Sequence, residues 1–83
     1  MSFYNSLDYD LQTSLEDTVR DNPGIAGLKL VSYVQKELSS ADVSKEEVFE
    51  VIDRLLEENV LWCDFEEDEW YLYSEVPYDK VQK

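Results

Sequence analysis

The stretch Ser44–Tyr73, SKEEVFEVIDRLLEENVLWCDFEEDEWYLY, decides how the rest of the chain is read. It joins a helical pattern to a hairpin pattern with no linker between them. Ser44 stands where a helix N-cap belongs and Glu47 follows three residues later, which makes a capping box. Val43 and Val48 bracket the same start at hydrophobic-staple spacing. With an advance of about 100° per residue, Val48, Phe49, Val51, Ile52, Leu55 and Leu56 gather on one side of this helix. Glu46, Glu47, Glu50, Asp53, Arg54, Glu57 and Glu58 take the other side. Asn59 suits a left-handed helix exit, and the spacing turns there into a strand-like run, Val60–Phe65. Trp70–Tyr73 reads as the second strand, which leaves Glu66–Glu69 as a four-residue connection. No Gly is present for a primed turn, so a type I turn is expected.

Upstream, Leu7, Leu11, Leu15 and Val19 recur every four residues and predict a first helix that Ser6 or Asp10 can cap. Asn22-Pro23-Gly24 ends it. Ile25-Ala26 is short enough for a single β-bridge, and Gly27 opens a second helix with an apolar stripe of Leu28, Val31, Val34 and Leu38. Ser39–Asp42 separates this helix from the third. The order helix, bridge, helix, helix, hairpin resembles the winged-helix superfamily over roughly Ser6 to Ser74, through element order and core spacing. The resemblance implies an α+β, mostly α, fold: a three-helix winged helix-turn-helix core followed by a two-stranded β-hairpin wing. Residues 1–5 and 75–83 are then tails around a domain of residues 6–74. It also implies two kinds of work. Many members read the DNA major groove with the third helix and touch the backbone with the wing, whereas others bind proteins in transcription, degradation or trafficking assemblies.

Charge separates these two uses. The 83 residues carry 20 acids and seven bases, a formal net charge of −13. Between Ser44 and Glu69, eleven acids face only Lys45 and Arg54, a balance of −9. Because phosphate contacts made by Lys and Arg supply most non-specific DNA affinity, binding nucleic acid through the usual face is disfavoured. The acids also sit badly for the helix itself. Glu46/Glu50 and Asp53/Glu57 are like-charge i,i+4 pairs, each costing about 0.2–0.5 kcal/mol. Glu57 and Glu58 lie near the C-terminus, where the dipole favours cations, and only Glu50–Arg54 looks compensating.

A solvated helix face and a hairpin tip guarded against edge pairing account for the same residues in the plainest way. The functional expectation is a non-enzymatic interaction module or regulator in nucleic-acid machinery, steering a basic or mixed-charge protein partner. Its expected surface is Glu46, Glu50, Asp53, Arg54 and Glu57 on the helix and Glu66, Glu67, Asp68 and Glu69 at the wing tip. Tyr71 and Tyr73 point outward from an edge strand, with Trp62, Cys63, Phe65, Trp70 and Leu72 on the packed side. Phe3, Tyr4, Tyr9 and Tyr78 add aromatic material near the termini. One alternative is a phage-type DNA mimic whose carboxylates imitate phosphates. Another is a DNA-binding regulator that uses Arg20, Lys29, Lys36, Lys80 and Lys83 on a different face or as a dimer.

Other chemistries find little support. With no His and a single Cys, zinc-binding patterns and the usual base for a Ser or Cys nucleophile are missing, and the acids lack EF-hand spacing. Gly24 and Gly27, the only glycines, read as helix punctuation rather than a phosphate loop. No cofactor is expected. Cys63 reads as a small buried hydrophobe in a reducing compartment. The chain shows neither a signal peptide nor a membrane-spanning apolar run, so a cytoplasmic protein is expected, with a homodimer through helix one or the hairpin edge left open.

Overall fold

The computed structural model describes residues 6–81. Three helices, α1 (Ser6–Asp21), α2 (Gly27–Glu37) and α3 (Lys45–Glu57), precede an antiparallel hairpin of β1 (Leu61–Asp64) and β2 (Glu69–Leu72). Single 3-10 turns occupy Ser39–Ala41 and Tyr73–Glu75, and a short α4 covers Tyr78–Val81. The fold is therefore α+β and mostly helical. Its core lies between the three helices and one face of the hairpin.

In α1, Leu11, Leu15 and Val19 are buried as their spacing predicts. Asp10 lies inside this helix and does not cap it, while Ser6 stands at the edge of the described residues. The helix stops where Asn22 Nδ2 donates to the Thr18 carbonyl at 2.9 Å and Gly24 turns to a φ of +86°. A side chain at Gly24 would be strained by that φ, and its Cβ would stand 3.2 Å from the Tyr71 hydroxyl. The predicted bridge forms: Ile25 pairs with Trp70, with Gly24 N–H donating to the Trp70 carbonyl at 2.8 Å and Trp70 N–H to the Ile25 carbonyl at 3.0 Å. These bonds tie the α1–α2 connection to the free edge of β2.

The apolar face of α2 differs from the expected stripe. Leu30, Val31 and Val34 are buried and Leu38 partly so, whereas Leu28 is 71% exposed. On a helical projection Leu30, Val31, Val34 and Leu38 fit within about 100°, and Leu28 falls about 60° outside that arc. Gly27 falls inside the arc, where the Trp70 indole approaches: a Cβ there would meet Trp70 Nε1 at 3.1 Å. The close approach is the reason for glycine at the helix start.

Both ends of α3 match the sequence signals. Ser44 Oγ accepts from Glu47 N–H at 3.2 Å while Glu47 Oε1 accepts from Ser44 N–H at 2.9 Å, and Val43 and Val48 are buried. At the other end Asn59 has a φ of 60°. Val60 N–H reaches the Leu55 carbonyl at 2.9 Å and Asn59 N–H the Leu56 carbonyl at 3.2 Å, which is a Schellman closure. Val48, Val51, Ile52 and Leu55 fill the buried arc, Leu56 lies half-buried at its edge, and Phe49, beyond the edge, is 43% exposed.

The hairpin departs from expectation by one residue. Its loop is Phe65–Asp68 rather than Glu66–Glu69, because Asp64 pairs with Glu69 and Asp68, in the left-handed region at a φ of 58°, donates back to the Asp64 carbonyl at 2.7 Å. Asp64 Oδ1 stiffens the loop by accepting from the Glu66 and Glu67 N–H groups at 3.1 and 3.2 Å. The register Leu61↔Leu72, Trp62↔Tyr71, Cys63↔Trp70 sends Leu61, Cys63, Trp70 and Leu72 into the core. Two expected core residues are therefore misplaced. Trp62 is half-buried on the opposite face, with its ring 6.1 Å from that of Tyr71, and Phe65 has left the strand and is 77% exposed. The segment expected as a C-terminal tail follows with half-buried Val76 and Pro77, and then α4.

Candidate functional site

The outer face of α3 carries the acids where the sequence places them. Glu46, Glu50, Asp53 and Glu57 are exposed, and among the described residues no ion pair joins them to a base. Their spacing of four, three and four residues keeps them within about 60° of helix circumference and spreads them along about 16 Å of axis. They form a single straight row.

Arg54 does not belong to that row. Instead of compensating Glu50, its guanidinium reaches α1, donating to Asp8 Oδ2 at 2.7 Å and Gln12 Oε1 at 3.0 Å, with Glu58 at 4.0 Å. The expected neutralising base is thus consumed in the α1–α3 contact. Lys45, the other base of α3, falls at the angle of Ile52 and Leu56, about 80° or more from the row.

One flank of the acidic row borders a cleft between the start of α1 and the first half of α3, lined by Leu7, Asp8, Leu11, Glu47, Glu50 and Val51. Its surface is mainly polar: Leu11 and Val51 are buried beneath it and Leu7 is half-buried at its side. Of its three carboxylates, Asp8 is bonded to Arg54 and Glu47 to the Ser44 cap, which leaves Glu50 without a bonded partner among the described residues. A lysine or arginine head can meet Glu50 there, with Leu7 beside it for part of the methylene stem. Phe49 lies on the other flank of the row. Periodicity placed Phe49 in the core; its position about 100° from Val48, at the end of the apolar arc, was the available signal.

The expected tip residues have separate fates. Glu66 and Glu67 are exposed, and their side chains make no hydrogen bond among the described residues. Asp68 Oδ1 accepts from Gly27 N–H at 3.1 Å and so docks the loop on the start of α2, away from the α3 row. Beside it, the buried Trp70 Nε1 has no hydrogen-bond partner among the described residues. Glu69 faces Asp64 across the ladder, and both carboxylates hold the Lys80 ammonium, at 2.6 and 2.9 Å. Bonding to Lys80 is the main reason that both carboxyls sit below their ordinary pKa and that Lys80 is raised; the Tyr71 hydroxyl helps at Glu69 and loop N–H groups help at Asp64. No periodic signal links residues 16 apart, so this cluster was invisible in the sequence.

Tyr71 corrects the expected aromatic surface. It is 8% exposed, lies over Gly24 and donates to Glu69 Oε1 at 3.1 Å. It faces away from the core yet is covered, so alternation alone did not predict its burial. Tyr73 is exposed as expected. Leu28, Phe49 and Phe65, expected to pack, are exposed instead, the last with its ring edge-on to Trp70 at 6.3 Å. Cys63 is buried, and its thiol is pushed up to about 11 by burial first and by the Asp68 and Asp64 charges next.

The bases considered for a different DNA-binding face are dispersed. Arg20 pairs with Asp17 at 2.7 Å, Lys80 is engaged on the hairpin, and Lys83, like Phe3 and Tyr4, lies outside the described residues. Lys29 and Lys36 are exposed beside Tyr33, but Asp17, Asp21 and Glu37 share that groove with Lys36. Among the described residues no group of three or more His, Cys, Asp or Glu side chains is arranged to hold a metal, and no helix is long and apolar enough to cross a membrane. Comparison with protein-family models, with curated proteins and with solved structures finds no match.

Proposed function

We propose that this chain is a small, non-enzymatic module of winged-helix type that binds a basic protein of the cytoplasmic nucleic-acid machinery through the outer face of α3. The observation that carries this reading is the row Glu46, Glu50, Asp53, Glu57, which no ion pair joins to a base among the described residues, beside a small carboxylate-lined cleft. The row attracts a cationic surface at long range, and exposed Phe49 offers the short-range apolar contact that steering alone lacks. On this reading the partner presents lysine or arginine side chains on an exposed element, together with an apolar residue to meet Phe49.

A DNA mimic is the sharper form of the same idea, and the axial spacing of the row bears on it. Carboxylates recur about every 5.5 Å along α3, whereas one DNA strand carries a phosphate about every 3.4 Å of helix axis. Successive phosphates of a strand also turn about the duplex axis, so their separation in space exceeds that rise and is no shorter than the spacing of the row; competition with duplex DNA for the same basic partner separates the two readings.

Titration of the isotopically labelled protein with a capped octalysine peptide tests the reading. Amide and methyl shifts are expected at Leu7, Leu11, Glu50 and Val51, weakening steeply with added salt. Shifts spread evenly over every exposed acid, with the cleft methyls unmoved, would remove the cleft from the account. Mixed-sequence duplex DNA at low salt, where phosphate attraction is strongest, is expected to move nothing; shifts at Lys29 and Lys36 would instead support the DNA-binding alternative.

A further inference from the structure

Asp64 and Glu69 are directly opposed in the antiparallel ladder, a placement that is unfavourable for two like charges unless a cation lies between them. The cation is Lys80. Its ammonium is 2.9 Å from Asp64 Oδ2 and 2.6 Å from Glu69 Oε1. The carboxylates are held in place from behind, Asp64 by the Glu66 and Glu67 N–H groups and Glu69 by the Tyr71 hydroxyl. With side-chain exposures of 15% and 32%, they form a preorganised pincer in the outer face of the hairpin, not a loose surface pair.

The element that delivers Lys80 is much less secure than the pincer. α4 has four residues, none of them buried, and Tyr78, Asp79 and Val81 are exposed. A helix this short has no stability of its own. Lys80 is the side chain of α4 that bonds the hairpin, so opening costs little beyond that one anchor. A well-built cation site filled by a weakly held part of the same chain has the form of an intramolecular competitor.

We propose that the Asp64/Glu69 pincer is a lysine-binding site that Lys80 occupies in the free protein, and that a lysine of the basic partner displaces it and lifts α4 from the hairpin. The inference rests on the basic-partner reading and adds a second contact to it, on the face of the hairpin that carries Trp62 and Tyr71. The incoming group is a primary ammonium on an extended segment. Two carboxylate oxygens already lie at hydrogen-bond distance from one such nitrogen.

The test uses the full chain, its Lys80→Met and Lys80→Arg variants, and a capped tetralysine peptide followed by amide shifts. If Lys80 fills the pincer nine-tenths of the time, its removal raises apparent affinity there about tenfold. The Lys80→Met protein is therefore expected to bind the peptide about tenfold more tightly than the wild type, with shifts at Asp64, Glu69 and Tyr71. Lys80→Arg keeps a cation in place and is expected to stay near the wild-type affinity. Adding Glu69→Gln to Lys80→Met should abolish the gain.

Equal affinity for wild type and Lys80→Met overturns the inference. So does tighter binding whose shifts fall on α3 alone, an outcome that leaves the proposed function standing. Shifts at the pincer with a silent α3 row would do the reverse. Should Lys80→Met fail to fold, saturating the wild type with peptide decides the matter: residues 78–81 are expected to move to unfolded-chain shifts, and an unmoved α4 with peptide bound overturns the proposal.

Discussion

At the scale of single residues, position on the helix outweighs hydrophobicity. Leu28 and Leu30 are the same side chain two places apart, one 71% exposed and the other fully buried. Leu30→Ala is expected to cost about 2–5 kcal/mol, and Leu28→Ala less than about 0.5 kcal/mol, in urea unfolding. The expected stripe took Leu28 and left out Leu30, although a signal was there: the arc holding Leu30, Val31, Val34 and Leu38 is narrower than one that includes Leu28. Gly27 was legible only as a helix start; that it makes room for Trp70 depends on a partner 43 residues away. Gly27→Ala is expected to destabilise by about 1 kcal/mol despite alanine's better helix propensity, since Trp70 is buried and cannot yield as Asp68 can. Cys63 supplies a simpler check. With its thiol raised to about 11 inside the core, maleimide labelling at neutral pH is expected to be slow in the native protein and fast in urea.

Elements with a local cause were the readable ones. The start of α3 follows from Ser44 and Glu47, its exit from Asn59, and the Ile25 bridge from a short run between stop signals. Ser44→Ala is expected to lower stability by about 1 kcal/mol, measured by chemical denaturation. Elements settled by contacts between distant residues were not readable. The hairpin loop starts at Phe65 because Asp64 accepts N–H groups from the loop and pairs with Glu69, and Arg54 turns to Asp8 on another helix.

The docking of α4 depends on ionised groups, and so on pH. Asp64 and Glu69 are held below their ordinary values of 3.8 and 4.5, so their contribution is complete above about pH 5 and disappears as pH falls through the lowered values. Lys80 is held above its ordinary 10.5, so its share is complete below that pH and disappears only as pH rises through the raised value. Resonances of residues 78–81 are therefore expected to keep their docked shifts from about pH 5 to 10 and to lose them in stronger acid. In Lys80→Met they should show no such transition.

For the whole molecule, the question is why so much acid stands where it weakens the fold. A net charge of −13 repels itself, and the α3 row adds two like-charge i,i+4 pairs that Arg54, committed to Asp8, does nothing to relieve. Acid that only kept the chain soluble would need no straight row along one helix face beside an exposed Phe49. The composite variant Glu46→Gln, Glu50→Gln, Asp53→Asn, Glu57→Gln keeps side-chain size while removing the row. Since each relieved pair is worth about 0.2–0.5 kcal/mol, it should be more stable than the wild type by about 0.4–1 kcal/mol. The most direct measurement is the affinity of this variant and of the wild type for the same capped octalysine peptide, at low and at moderate salt, with stability recorded in parallel. A steering role for the row requires a more stable variant whose affinity and salt dependence both fall; equal affinity with an unchanged salt dependence would rule that role out.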